Sequence, residues 1–236
     1  FLIRSMVQQW QAMGQPSWQL SLPWLVAASA GYAAYLALLA ANYGVVLARL
    51  GHRLPARRMV PIYLASALTR YVPGKLWALA SRAYLCEREG VAPVRSGLAL
   101  AVETVMNLGG AALLALAAAA AQPQLDLGRW GRVASLGLLP ILVAVVVLAA
   151  TPRYLDRATG FILRRLGREP QTLGLSAQAL AGLLNRYLVL WLICGAAFAA
   201  FVRAVAPVNL AAAPALAGAF ALAWAAGTVS FLPAGL

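Results

Sequence analysis

A series of long apolar stretches (22–48, 94–121, 133–150, 187–205 and 215–232) constrains this chain more than any other feature. About 18 such residues in a helix are enough to reach across the hydrocarbon of a bilayer. In hydrocarbon every backbone N–H and C=O must find its partner inside the protein, so a spanning segment is a helix or part of a closed barrel. The expected fold class is therefore all-α, a polytopic helical membrane protein. With 63% hydrophobic and 11% charged residues and a mean hydropathy of +0.78, an ordinary soluble domain is excluded.

The formal charge of +13 does not point to nucleic acid, because the basic residues cluster between the apolar stretches. That placement follows the positive-inside rule and favours anionic headgroups. Arg49, Arg53, Arg57 and Arg58 follow the first span, and Arg153, Arg157, Arg164, Arg165 and Arg168 fill the connection 151–170. Both segments are expected in the cytoplasm. Residues 1–21, with Trp10 and Trp18, read as an interfacial segment, 122–130 as a short polar turn and 206–213 as an outer turn. Residues 171–184 read as a surface helix leading into the span at 187–205. A chain that begins at Phe1 and stops just after Pro233-Ala-Gly235 is expected to be a fragment of a longer membrane protein, here one domain over 1–236 with halves at about 1–121 and 133–236.

Segment 59–85 carries Arg70, Lys75 and Arg82, with a Pro73-Gly74 break near its middle. With two spans between the two cytoplasmic loops, this segment should not cross completely. Its pieces, roughly 21 and 18 Å long, each fall short of a core of about 30 Å. A re-entrant helical hairpin from the cytoplasm satisfies the count, and a kinked full span is the alternative. A second break, at Pro233 and Gly235, aligns Phe231-Leu-Pro-Ala-Gly-Leu236 with Tyr71-Val-Pro-Gly-Lys-Leu76. The preceding spans run in opposite directions. Matched interrupted segments of this kind mark inverted-topology halves around a midplane site, against the alternative of chance resemblance.

A helix starting at Gly74-Lys75 would aim its free N–H groups and positive dipole end at an anion. Arg70, Lys75 and Arg82 add cations, and Tyr71 and Trp77 add amphipathic surfaces, so these five are the expected lipid-headgroup residues. The competing reading has the cations snorkelling to the interface, which suits Arg82 best because it borders a loop. Glu103 is the lone carboxylate within an apolar span. It is expected to face the bundle interior as a counter-ion, paired with Arg70, Lys75 or Arg82, or to stand in a substrate or proton path. Asn107 follows on the same helical face, and Gly110 permits close approach of another helix. Cys86 and Cys194 have no metal or redox spacing and read as packing residues. No catalytic set, metal cluster or cofactor motif is legible.

Arg70-Tyr-Val-Pro-Gly-Lys-Leu-Trp77, followed by Arg82-Ala-Tyr-Leu85, Glu89-Gly90 and Glu103, resembles the lysylphosphatidylglycerol synthase transmembrane-region family. Ser230-Phe-Leu-Pro-Ala-Gly-Leu236 is similar to the start of its second signature, whose usual continuation is missing. The resemblance implies a multi-pass protein of the bacterial cytoplasmic membrane that moves phospholipid, including aminoacylated phosphatidylglycerol or another anionic lipid, between leaflets. It implies no synthase activity. The alternative is a non-catalytic accessory or scaffold subunit of a lipid-modifying enzyme or glycosyltransferase. The expected partners are membrane lipids, with a homo-oligomer or such an enzyme as protein partner, and no cofactor.

Overall fold

Each expected span is a helix in the computed structural model, which describes residues 20–69, 76–121, 128–165, 167, 169 and 172–229. In chain order the helices are α1 (Leu22–Arg49), α2 (Ala56–Leu68), α3 (Leu76–Glu87), α4 (Pro93–Ala121), α5 (Gly128–Ala150), α6 (Pro152–Arg165), α7 (Ala177–Val205) and α8 (Ala213–Val229). No strand occurs among the described residues. Four segments, Leu22–Arg49, Pro93–Ala121, Ala177–Val205 and Leu210–Thr228, are long and apolar enough to cross a membrane. Gly137–Ala150 and Pro152–Arg165 pass the same test of length and composition as a pair, with a bend of 101° between them. The outer surface carries Val26, Val143, Val146, Val189, Leu192 and Phe201, all exposed, as a lipid-facing surface requires.

The bundle is built around α4 and α7. α1 packs along α7, α8 lies against both α4 and α7, and α5 covers their other side. Small residues allow the close approaches. A Cβ on Gly110 of α4 would stand 3.0 Å from the Tyr187 backbone carbonyl of α7, and one on Gly195 of α7 only 2.5 Å from Ala217 of α8. Dispersion at such contacts replaces the hydrophobic drive that lipid cannot supply. α1 and α7 are antiparallel, with Ser21 N–H bonded to Ala204 O (2.8 Å) at one end and Arg186 Nε to Asn42 Oδ1 (3.1 Å) towards the other.

The helices α2 and α3 form a hairpin, which decides between the two readings of segment 59–85. Its base is closed by Arg58 and Glu89 (2.7 Å), and further in Thr69 meets Ser81 (3.0 Å) and Arg82 meets Ser66 (3.0 Å). A kinked full span would put residues 58 and 89 at opposite ends of the bundle. Chain entry and exit also share one end, because Arg95 at the start of α4 donates to the carbonyl of Leu50 at the end of α1. Glycines with positive φ make both connections possible. Gly51 (φ 89°) ends α1, with His52 N–H on Leu47 O and Gly51 N–H on Ala48 O. Gly90 (φ 83°) ends α3 in the same way, with Val91 N–H on Cys86 O and Gly90 N–H on Glu87 O. Both are Schellman caps, whose left-handed residue favours glycine. The break itself, Arg70, Tyr71, Pro73, Gly74 and Lys75, lies outside the described residues, as do Pro233 and Gly235.

One expectation about the connections is filled in and one is corrected. The stretch 151–170 holds the amphipathic helix α6, opened by Pro152 at its first position, where a missing N–H costs nothing. Residues 172–176 are irregular, with Gly174 at φ 62°, and do not form a surface helix; one helix runs from Ala177 to Val205, capped by Ser176 Oγ accepting from Ala179 N–H (3.1 Å).

Candidate functional site

The buried polar residues of α4, Ser96, Glu103 and Asn107, share one face with Gly110. Ser96, Glu103, Asn107 and Gly110 follow one another by seven, four and three residues, so an ideal helix aligns them. This face is buried against α1, the hairpin and α7. Tyr43 of α1 donates to Ser96 O (3.0 Å) and shares a bond with its hydroxyl (2.9 Å). A turn or two deeper, Tyr63 of α2 donates to Glu103 Oε1 (2.5 Å), and Arg82 of α3 donates through Nη1 to Glu103 Oε2 (2.7 Å).

Arg82 is held from every side described. Its Nε donates to Ser66 Oγ (3.0 Å), and Ser66 in turn donates to the Tyr63 carbonyl (2.8 Å). The guanidinium carbon lies 3.9 Å from the Tyr63 ring centroid and 5.0 Å from that of Tyr43. Such stacking, like the bidentate fork, is what makes arginine the cation suited to desolvated sites. The side chains of Arg82 and Glu103 are 7% and 5% exposed. The competing reading, in which Arg82 snorkels to the interface, is therefore overturned, and the expected pairing of Glu103 falls to Arg82: it points into the bundle and closes the ion pair there.

Asn107 plays a different part from Glu103. The indole N–H of Trp191 on α7 divides its bond between Asn107 O and Oδ1, both at 2.9 Å. The same ring meets Trp224 of α8 in a T-shaped contact (centroids 5.0 Å apart) and Phe220 in a tilted one (6.2 Å). Trp77 is 57% exposed on α3. Tyr187 is completely buried where α7 passes Gly110, and its hydroxyl lacks a hydrogen-bond partner among the described residues.

Between these groups lies a cavity of about 260 Å³. Arg82, Glu103, Thr104, Asn107 and Thr228 give it polar walls, and Tyr32, Tyr35, Trp191, Phe220 and Trp224 give it aromatic ones. The sequence pointed to Arg82, Glu103 and Asn107 but not to Tyr43, Tyr63, Ser66, Trp191 or Thr228. The signal for the hairpin hydroxyls was present: Tyr63 and Ser66 are three apart, on one helical face, within a short helix that must bury that face. No group of three or more His, Cys, Asp or Glu side chains able to hold a metal occurs among the described residues, and Cys86 and Cys194 are buried free thiols.

Helices of membrane-spanning length, a folded-back half-depth hairpin and a buried ion pair beside a polar cavity define a multi-pass α-helical membrane protein with an intramembrane polar site. The family model for the lysylphosphatidylglycerol synthase TM region matches residues 3–236, and the chain belongs to that family. It is thus a membrane protein of the lipid-modification or flippase-domain kind. Comparisons with curated proteins and with solved structures find no match.

Proposed function

We propose that the chain moves phospholipid, anionic or aminoacylated, between the leaflets of the bacterial cytoplasmic membrane, the headgroup passing through the cavity beside Arg82 and Glu103. The observation that carries this reading is the ion pair itself, buried within a lipid-facing bundle and opening on a polar cavity. Crossing hydrocarbon is costly for a headgroup because its charges lose their water. A site holding both signs in fixed positions offsets that loss: the guanidinium fork suits a phosphate, and the carboxylate with its aromatic neighbours suits an ammonium. A cavity of about 260 Å³ is small for a whole lipid and large enough for a headgroup, leaving acyl chains in the bilayer.

The test is leaflet exchange of headgroup-labelled phosphatidylglycerol and its aminoacylated form in vesicles containing the purified chain. Replacing Arg82 and Glu103 together by leucine removes both charges without leaving either one unpaired, so the bundle should persist. Exchange should fall to the protein-free rate in this variant. Exchange at the wild-type rate would overturn the reading. Absence of exchange in the wild type, with co-purification of a lipid-modifying enzyme, would favour the accessory-subunit alternative.

A further inference from the structure

The helix α6 leaves the end of α5 at a bend of 101° and presents two unlike faces. Leu155, Thr159 and Leu163, spaced by four, are buried, with Leu155 in the bundle core. Asp156 Oδ1 accepts from the backbone N–H of Leu173 (2.7 Å), which ties the helix to the returning chain. Its other side is exposed and ordered by residue type. Tyr154 and Phe161, seven apart and so on one ridge, are 49% and 54% exposed. Arg153, Arg157 and Arg164 form the neighbouring ridge, spaced by four and seven, and all three are exposed. Arg165 lies on the far side of the aromatic ridge.

The arginines also engage the rings. Arg157 is 5.8 Å from the Tyr154 ring centroid and Arg165 is 5.2 Å from that of Phe161. A water-facing helix gains nothing by exposing two large rings. An aromatic ridge between cationic ridges matches the boundary of an anionic leaflet, where rings sit at headgroup level and guanidinium groups reach phosphates. The four arginines give this exposed side a charge complementary to an anionic headgroup layer.

We infer that α6 is an interfacial helix that docks on anionic phospholipid of the leaflet at the bundle's basic end, with Tyr154 and Phe161 embedded and Arg153, Arg157 and Arg164 on the phosphates. This binding surface is separate from the Arg82–Glu103 cavity and does not depend on lipid translocation.

The test uses the full chain in vesicles of phosphatidylcholine, with and without phosphatidylglycerol, carrying a nitroxide at Phe161→Cys, Ala158→Cys or Arg153→Cys; the native thiols are buried. Ala158→Cys keeps both rings in place. Labels at 161 and 158 should be open to oxygen and shielded from a water-soluble nickel chelate, at a depth of about 5–10 Å. The label at 153 should remain open to nickel. In a second measurement, the preference of the protein for spin-labelled phosphatidylglycerol over phosphatidylcholine should fall by roughly fivefold or more when Arg153, Arg157 and Arg164 are all replaced by Gln. Full nickel access at both 161 and 158 would overturn the inference. So would shielding that grows with protein density, which would place a second copy on this face, or an unchanged lipid preference in the triple variant.

Discussion

Removing one partner of the Arg82–Glu103 pair tests whether the cluster is as dry and as tightly coupled as its geometry states. The charges meet at 2.7 Å with side chains 7% and 5% exposed. At an effective dielectric constant of about 20, opposite charges about 4 Å apart attract by about 4 kcal/mol. Glu103→Leu keeps the buried guanidinium and deprives it of that attraction, and it also takes the acceptor from the Tyr63 hydroxyl. The expected loss is about 3–5 kcal/mol, the range for breaking a buried pair from one side. Arg82→Leu should cost somewhat less, because an orphaned carboxylate can take up a proton.

The double substitution decides the matter. With neither charge present no desolvation penalty remains, and the Arg82→Leu/Glu103→Leu variant should lie within about 2 kcal/mol of the wild type. The coupling energy of the cycle should then be at least about 2 kcal/mol. Unfolding in mixed micelles, followed by tryptophan fluorescence as denaturing detergent is added, measures all four proteins. Single losses below about 1 kcal/mol would show that water reaches the pair. A double loss equal to the sum of the singles would refute the pairing itself.

Other outcomes follow from the same coordinates. The Arg58–Glu89 pair, with side chains 56% and 26% exposed, should contribute less than about 1 kcal/mol, and Arg58→Ala should shift unfolding only slightly and less at high salt. Gly110→Ala must push α4 away from the Tyr187 carbonyl of α7, 3.0 Å from the new Cβ, costing about 1–3 kcal/mol; Gly137→Ala, with open space at its Cβ, should be neutral or stabilising by up to about 1 kcal/mol in the same unfolding assay. Asn107→Leu should cost no more than about 1 kcal/mol, since the Trp191 N–H keeps the backbone carbonyl of residue 107 as acceptor; quenching of tryptophan emission reports any loss of ring position. Cysteines at Leu54, Arg88 and Arg157 should all react with an impermeant thiol reagent from one side of the membrane and a cysteine at Pro207 from the other. Labelling of 88 from the side of 207 would undo the hairpin.

The spans were legible because hydrocarbon sets their length and composition, leaving few other ways to place 22–48 or 94–121. The hairpin was legible as a count of crossings, although its proof needed Arg58 and Glu89 side by side. The helix α6 escaped because its arginines dominate the composition of 151–170, while the apolar spacing that marks it as helical rests on just Leu155, Thr159 and Leu163. Tyr63 and Ser66 escaped for another reason: a hydroxyl in an apolar segment does not announce its partner, which here comes from α3 and α4.

Arg82 shows why closeness to a loop is an unsafe guide to where a long side chain goes. Helical side chains lean towards the helix N-terminus. The helix α3 runs from the hairpin break towards the basic end of the bundle, so Arg82 leans away from the nearby water and into the protein. The helix α4 runs the other way, from Pro93 inwards, so Glu103 leans back towards that same end. Arg82 lies five residues from the end of α3, about 8 Å deep, and Glu103 lies ten residues into α4, about 15 Å deep. Their opposite leans close that gap, and the 2.7 Å bond is the result. Snorkelling from this depth would have required α3 to run in the opposite direction. The direction of the hairpin's second arm, set by the fold-back between α2 and α3, is thus what turns a loop-proximal arginine into half of a buried pair.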